Sequence, residues 1–188
     1  KWELIFGTFA AVATFVTFYL MTVFSLSWGT THLGFTRRSF LIIELFAILF
    51  FVIGIPLSAV LADRFGRKKV LVIVSLLIAV FGLSFSYFMD SGSTGMITFF
   101  ICLGLGLMGL TYGPIGTFLS ELFPTEVRYS GASLTFNLAG IIGASFAPLI
   151  AIWLATTYGI GYVGYYLSVA ALVSVVALLA IRKKEEKF

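Results

Sequence analysis

Two short stretches carry most of the residues able to do chemistry. The first reads Leu61-Ala62-Asp63-Arg64-Phe65-Gly66-Arg67-Lys68-Lys69, the second Ser120-Glu121-Leu122-Phe123-Pro124-Thr125-Glu126-Val127-Arg128-Tyr129-Ser130-Gly131-Ala132-Ser133. Asp63 closes an apolar run, where a carboxylate does nothing for membrane orientation. A partner is therefore expected, either an arginine or the free N–H groups of a helix start. Gly66 suits the positive φ of a tight turn. Pro124 stops the run before it, and Tyr129 or Ser130 begins the next. This is the chemistry of ion pairing and capping rather than of bond making. A single His32, a single Cys102, and the lack of a G-x-S-x-G turn, a His/Glu cluster or paired carboxylates inside the runs argue against an enzyme or a metal site, and nothing in the sequence points to a cofactor.

Fewer polar residues stand inside the runs. Glu44 is the one ionisable side chain placed well within an apolar stretch, and intramembrane carboxylates are costly enough to suggest function. On a helix it shares a face with Ala47, Phe51, Ile55 and Ser58. It can take up a proton, contact a substrate, or tether the helix end to Arg37 or Arg38. Thr14, Phe18, Met21 and Ser25 form a stripe, with Tyr19 and Thr22 on the neighbouring face. Ser133, Asn137, Gly140, Ala144 and Pro148 form another. Asn137 and Tyr112 are either substrate contacts or interhelical hydrogen-bonding groups. Gly104, Gly106, Gly109, Gly113 and Gly116 crowd one run, and Gly109-x-x-x-Gly113 permits close helix approach. Pro114 beside Gly113 is a candidate hinge.

The elements that must position these residues follow from composition. Of 188 residues, 60% are hydrophobic and 11% charged, against about 25% charged in a soluble domain. The mean hydropathy of +1.10 excludes a water-soluble globule and a disordered tail. Six apolar runs are read, at about 4–27, 39–62, 70–89, 96–120, 130–156 and 161–181, each 20 to 27 residues long. A crossing of the hydrocarbon core needs roughly 20. The predicted fold is an all-α bundle of six transmembrane spans forming a single unit, a count that permits two three-helix repeats of opposite topology. The chain opens Lys1-Trp2-Glu3 into a run too long for a cleaved signal, and the missing initiator Met suggests a fragment or processed chain.

Charge orients the bundle. Placing Lys1 on one side puts ten basic residues there: Lys1, Arg64, Arg67, Lys68, Lys69, Arg128, Arg182, Lys183, Lys184 and Lys187. Only Arg37 and Arg38 fall on the other. The positive-inside bias makes the first side cytoplasmic, with both termini there. The net charge of +4 follows topology and is no nucleic-acid signature.

The first stretch resembles the D-R-x-G-R-[KR] loop of the major facilitator superfamily, although Ala59 stands where that pattern usually has glycine. The second closely resembles the E-L-F-P-T-x-V-R-Y-[ST]-G-A-S segment of its metabolite:proton symporter branch, which includes shikimate, α-ketoglutarate and proline/betaine permeases. Gly104 to Pro114 and Gly143-Ala144-Ser145-Phe146-Ala147-Pro148 are similar too. The resemblance covers the chain as the carboxy-terminal six-helix half of that fold. It implies a non-enzymatic transporter in the plasma (inner) membrane, coupled to H+, that moves a small organic acid or zwitterion by alternating access. Spans one, two, four and five would line the cavity. The partner would be the amino-terminal half or a second copy of this chain. Asp63, Arg64, Gly66, Arg67, Glu121, Glu126 and Arg128 would form a cytoplasmic gate. Asp63 is expected on the start of span five, Arg64 or Arg67 against Glu121, and Arg128 against Glu126. The alternatives are a non-transporting scaffold or receptor on the same fold, or a uniporter. A passive channel would need a denser polar ring.

Overall fold

In hydrocarbon a single segment satisfies its backbone only by closing hydrogen bonds on itself, so apolar runs become helices. The computed structural model describes residues 2–181, and no strand occurs among them. Lys1 and the tail residues Arg182, Lys183, Lys184 and Lys187, counted in the charge asymmetry, lie outside the described residues.

The first rod comprises α1 (Trp2–Tyr19), a π-helical segment Leu20–Phe24 and α2 (Ser25–Thr31). The second is α3 (Arg37–Phe65), begun by Thr36, whose side chain accepts the Ser39 N–H at 3.2 Å. The third is α4 (Arg67–Leu83) followed by α5 (Phe85–Met89), and the fourth is α6 (Thr94–Ser120). The fifth comprises a 3-10 turn Thr125–Val127, α7 (Arg128–Ile141), a π-helical segment Ile142–Phe146 and α8 (Ala147–Thr157). The last is α9 (Gly161–Ala180). Five of these rods are long and apolar enough to cross a membrane.

The third rod differs from the single span read from the sequence. It is interrupted at Ser84, whose φ of −87° and ψ of 1° leave the helical range. The Ser84 hydroxyl donates to the Phe81 carbonyl at 2.7 Å. Seventeen residues of α4 rise only about 26 Å, short of the roughly 30 Å core. The Phe88 N–H bonds the Ser84 carbonyl across the break at 3.2 Å, so the two pieces continue one another.

Packing is close because small residues remove side chains from the contacts. The most extensive interface joins α3 to α6. There a Cβ on Gly54 would stand 2.9 Å from the Gly106 carbonyl oxygen, and one on Gly109 would strike the Phe51 carbonyl. One on Gly113 would meet the Ser58 hydroxyl and, at 2.8 Å, the Ile55 carbonyl oxygen. α4 and α9 meet through Gly82 and Gly164 in the same way. Ser168 of α9 donates to the Ala79 carbonyl at 2.7 Å. Ser174 receives the Ala13 N–H at 3.0 Å and donates to the Phe9 carbonyl at 2.7 Å. The main neighbours exchange consistently between the two halves: rod two lies on rod four as rod five lies on rod one, and rods three and six face each other.

The helices depart from regular α geometry at places the sequence does not mark. α6 runs unbroken through the buried Pro114, so the hinge expected at Gly113–Pro114 is not a break in this structure; Gly113 is occupied by the contact with α3. The irregular turns are the two π segments. The Ser25 hydroxyl and N–H both serve the Leu20 carbonyl, the hydroxyl at 2.8 Å. Gly143 gives the second π segment room against Phe15.

Candidate functional site

At the basic end, the link between α3 and α4 faces the link between α6 and α7 across a cleft of about 1330 Å³. Gly66, at φ 90°, makes the turn that joins α3 to α4, a conformation strained for any side chain. It directs Arg67 onto Glu121, and this ion pair joins the two links. Both side chains remain more than a third exposed, so the pair adds little to stability, under about 1 kcal/mol. Lys68 turns the other way. Its Nζ donates to the Ile181 carbonyl at 2.6 Å, closing the carboxyl end of α9.

The remaining expected pairings are not made. Arg64 is exposed and leaves Glu121 to Arg67, because the Gly66 turn carries Arg67 across the cleft. Arg128 does not meet Glu126; its Nε donates to the Phe123 carbonyl at 3.4 Å. The two lie at either end of the turn before α7, and side chains two apart do not face each other there. Asp63 lines the same cleft, exposed, and makes no hydrogen bond or ion pair among the described residues.

Deeper in the bundle, the structure separates the polar positions by environment. Thr14, Met21 and Ser25 are buried core, while Tyr19 and Thr22 are half-buried beside them. The Thr22 hydroxyl is turned back onto the Phe18 carbonyl at 2.7 Å. The stripe of span five is divided: Ser133 and Asn137 are exposed, whereas Pro148 is buried. The π segment between them shifts the register of all that follows. Asn137 donates to the Ser133 carbonyl at 2.8 Å. Both line a smaller cleft of about 520 Å³ together with Gly116, Ser120, Arg128 and Phe136.

Glu44 lies on the flank of α3 it was expected to share with Phe51 and Ile55, all half-buried, beside the buried Ala47 and Ser58. It does not pair with Arg37 or Arg38, which sit about two helical turns back at the helix start. Its Oε1 is buried and has no hydrogen-bond partner. Tyr112, 38% exposed, connects the helices instead of merely filling space. Its ring lies 5.5 Å from that of Phe51 and 6.3 Å from that of Phe136, which lies 4.9 Å from Phe15. Sequence reading missed this row, and the serines of α9 and Lys68 as bridging groups. Only the rarity of serine in so apolar a helix could have signalled the serines.

Long apolar rods, glycine-tight seams and charged links at one end define a multi-pass helical membrane protein. The chain belongs to the Major Facilitator Superfamily, whose sequence profile it matches over residues 4–188. This is a family of membrane transporters, not of enzymes. The chain is 47% identical over 180 residues to the inner membrane metabolite transport protein YhjE of Escherichia coli K12, covering 93% of this chain and 41% of that protein. It is 29% identical to the shikimate transporter of the same organism, covering 90% and 40%. It is 28% identical to the citrate-proton symporter of Klebsiella pneumoniae, covering 94% and 40%. The chain thus spans about two fifths of the length of these relatives, as one half of such a fold would.

Proposed function

We propose that this chain forms one half of a secondary transporter of the inner (plasma) membrane that carries a small organic acid or zwitterion together with a proton by alternating access. The observation that carries the reading is the Arg67–Glu121 pair, which joins the α3–α4 link to the α6–α7 link across an otherwise open cleft. A contact of that kind holds one end of the bundle shut while costing little to break, which suits a gate. Asp63, Arg64, Glu126 and Arg128 stand around it as further gate residues. Each is exposed and is free to change partners when the bundle rocks against the remainder of the transporter, an amino-terminal six-helix half or a second copy of this chain.

The coupling to H+ is supported by the citrate-proton symporter among the relatives. The choice of a small acid or zwitterion is supported by that protein and by the shikimate and the glycine betaine/proline/ectoine/pipecolic acid transporters. Glu44 is the candidate proton or substrate group; Tyr19, Thr22, Tyr112 and Asn137 are candidate substrate contacts. Counting α4 and α5 together as one crossing gives an even number of six, which supports both termini lying in the cytoplasm with the basic links.

The test is the pH outside lightly buffered proteoliposomes on addition of small carboxylates, betaines and sugars. The expected outcome is substrate-specific alkalinisation, lost in Asp63→Asn while membrane insertion is retained. Uptake without a pH change would remove proton coupling, and unchanged uptake by Asp63→Asn would remove its gating role.

A further inference from the structure

The two clefts at the basic end differ in how their charge is balanced. The larger is bordered by the acids Glu3, Asp63, Glu121 and Glu126 and by the bases Arg67, Lys68, Lys69 and Arg128. The smaller, about 520 Å³ between the end of α6 and the start of α7, has no acid among the described residues that border it, and Arg128 is its one base there. Arg128 stands between the two and pairs with neither Glu121 nor Glu126. Its Nε donates to the Phe123 carbonyl at 3.4 Å, and its other two nitrogens meet no acceptor among the described residues. Thr125 and Tyr129, close to it in the chain, also border the smaller cleft, and their hydroxyls make no hydrogen bond among the described residues. All three groups stand at the mouth, on the 3-10 turn and the first turn of α7, a helix start without a side-chain cap. Its partial positive charge adds to that of Arg128. Deeper in, Leu119, Ala132 and Phe136 make the wall apolar, and beside such a wall a charged hydrogen bond is stronger than in open water. Unused donors facing a space without acids suit an anion. A carboxylate fills the guanidinium fork with both its oxygens, whereas a phosphate keeps oxygens for the hydroxyls.

We propose that the smaller cleft binds a phosphate group at its mouth, held by the two free nitrogens of Arg128 and the hydroxyls of Thr125 and Tyr129. At the level of the basic links such a group arrives either as free inorganic phosphate or on the headgroup of an anionic phospholipid, whose phosphodiester offers the same chemistry to the guanidinium. The site stands apart from the transport reading, since nothing in it requires a transported substrate. A phosphate held there would also engage Arg128 and withdraw it from other partners at this end of the bundle.

The test titrates inorganic phosphate into the longest native polypeptide that carries this sequence, purified in detergent. Ionic strength is held constant with sodium chloride, and binding is read from the phosphorus NMR line width of the added phosphate. Saturable binding is expected, with half-saturation at about 1 mM. Arg128→Gln should weaken it roughly tenfold or more, and Thr125→Val roughly threefold to tenfold. Lys69→Gln removes an equal charge from the other cleft and should change it less than about twofold. Thr125→Val decides the matter should Arg128→Gln fail to yield monodisperse protein. Competition with dihexanoyl phosphatidylglycerol separates the two sources. Displacement by less lipid than inorganic phosphate itself requires assigns the site to a headgroup, and weaker or absent displacement assigns it to free phosphate. Lack of saturable binding, binding unchanged in Arg128→Gln or in Thr125→Val, or an equal loss in Lys69→Gln would overturn the site.

Discussion

The α3–α6 interface and the interface between rods one and five solve one packing problem in opposite ways. In the first, Gly54, Gly109 and Gly113 bring backbone against backbone, and the Ser58 hydroxyl is satisfied within α3 by the Ile55 carbonyl at 2.7 Å. In the second, rings intervene. Phe15 seats against Gly143 and Phe136, and each rod carries a π turn where it touches the other. The first contact has no freedom, because no atom can be added and no side chain can rotate away. The second can yield, since a ring slides and a π turn shifts by exchanging one hydrogen bond. A bundle that rocks as a body needs the first kind of contact to stay intact and the second to let polar side chains change their exposure.

That contrast can be broken most severely within α6. Gly109→Leu should cost about 3 kcal/mol or more and remove folded, monodisperse protein, since the added Cβ meets the Phe51 backbone. Gly116→Ala, on the same helix, meets nothing within 4 Å and should leave yield and melting temperature unchanged or slightly raised. Equal tolerance at both positions would contradict the rigid seam. A smaller effect is expected in the yielding contact. Ser25→Ala removes the hydroxyl from the Leu20 carbonyl and should lower stability by about 1 kcal/mol, read as a lower melting temperature in detergent. The smallest change in stability belongs to the charged links. Arg67→Ala or Glu121→Ala should shift stability by less than ~1 kcal/mol while reducing uptake, and the exchanged pair Arg67→Glu with Glu121→Arg should recover much of it. A loss of stability without loss of uptake would assign the pair a packing role instead.

Much of this was legible in the sequence, for identifiable reasons. Hydropathy fixes where helices run because the bilayer sets their length, and the Gly66 turn and the Gly109-x-x-x-Gly113 seam follow from what only glycine allows. The π segments were not legible. One extra residue in a turn leaves composition and hydropathy unchanged, yet it moves Pro148 off the face of Asn137. The break at Ser84 is hidden for the same reason. Partner choice among the charges was half legible. That Glu121 would meet an arginine followed from the scarcity of acids, but Arg67 over Arg64 depends on the Gly66 geometry, and Arg128 turns to a carbonyl that no charge pattern marks. The aromatic row joins residues far apart in the chain, and nothing in any one run announces it.

The gate at the basic end is tested most directly by tethering it. In a chain cleared of other cysteines, Arg67→Cys and Glu121→Cys would be joined by a short bifunctional thiol reagent with a reducible linker, and uptake measured before tethering, after it and after reduction. Rocking about this contact predicts that tethering stops uptake and reduction restores it. Undiminished uptake by the tethered protein would contradict it.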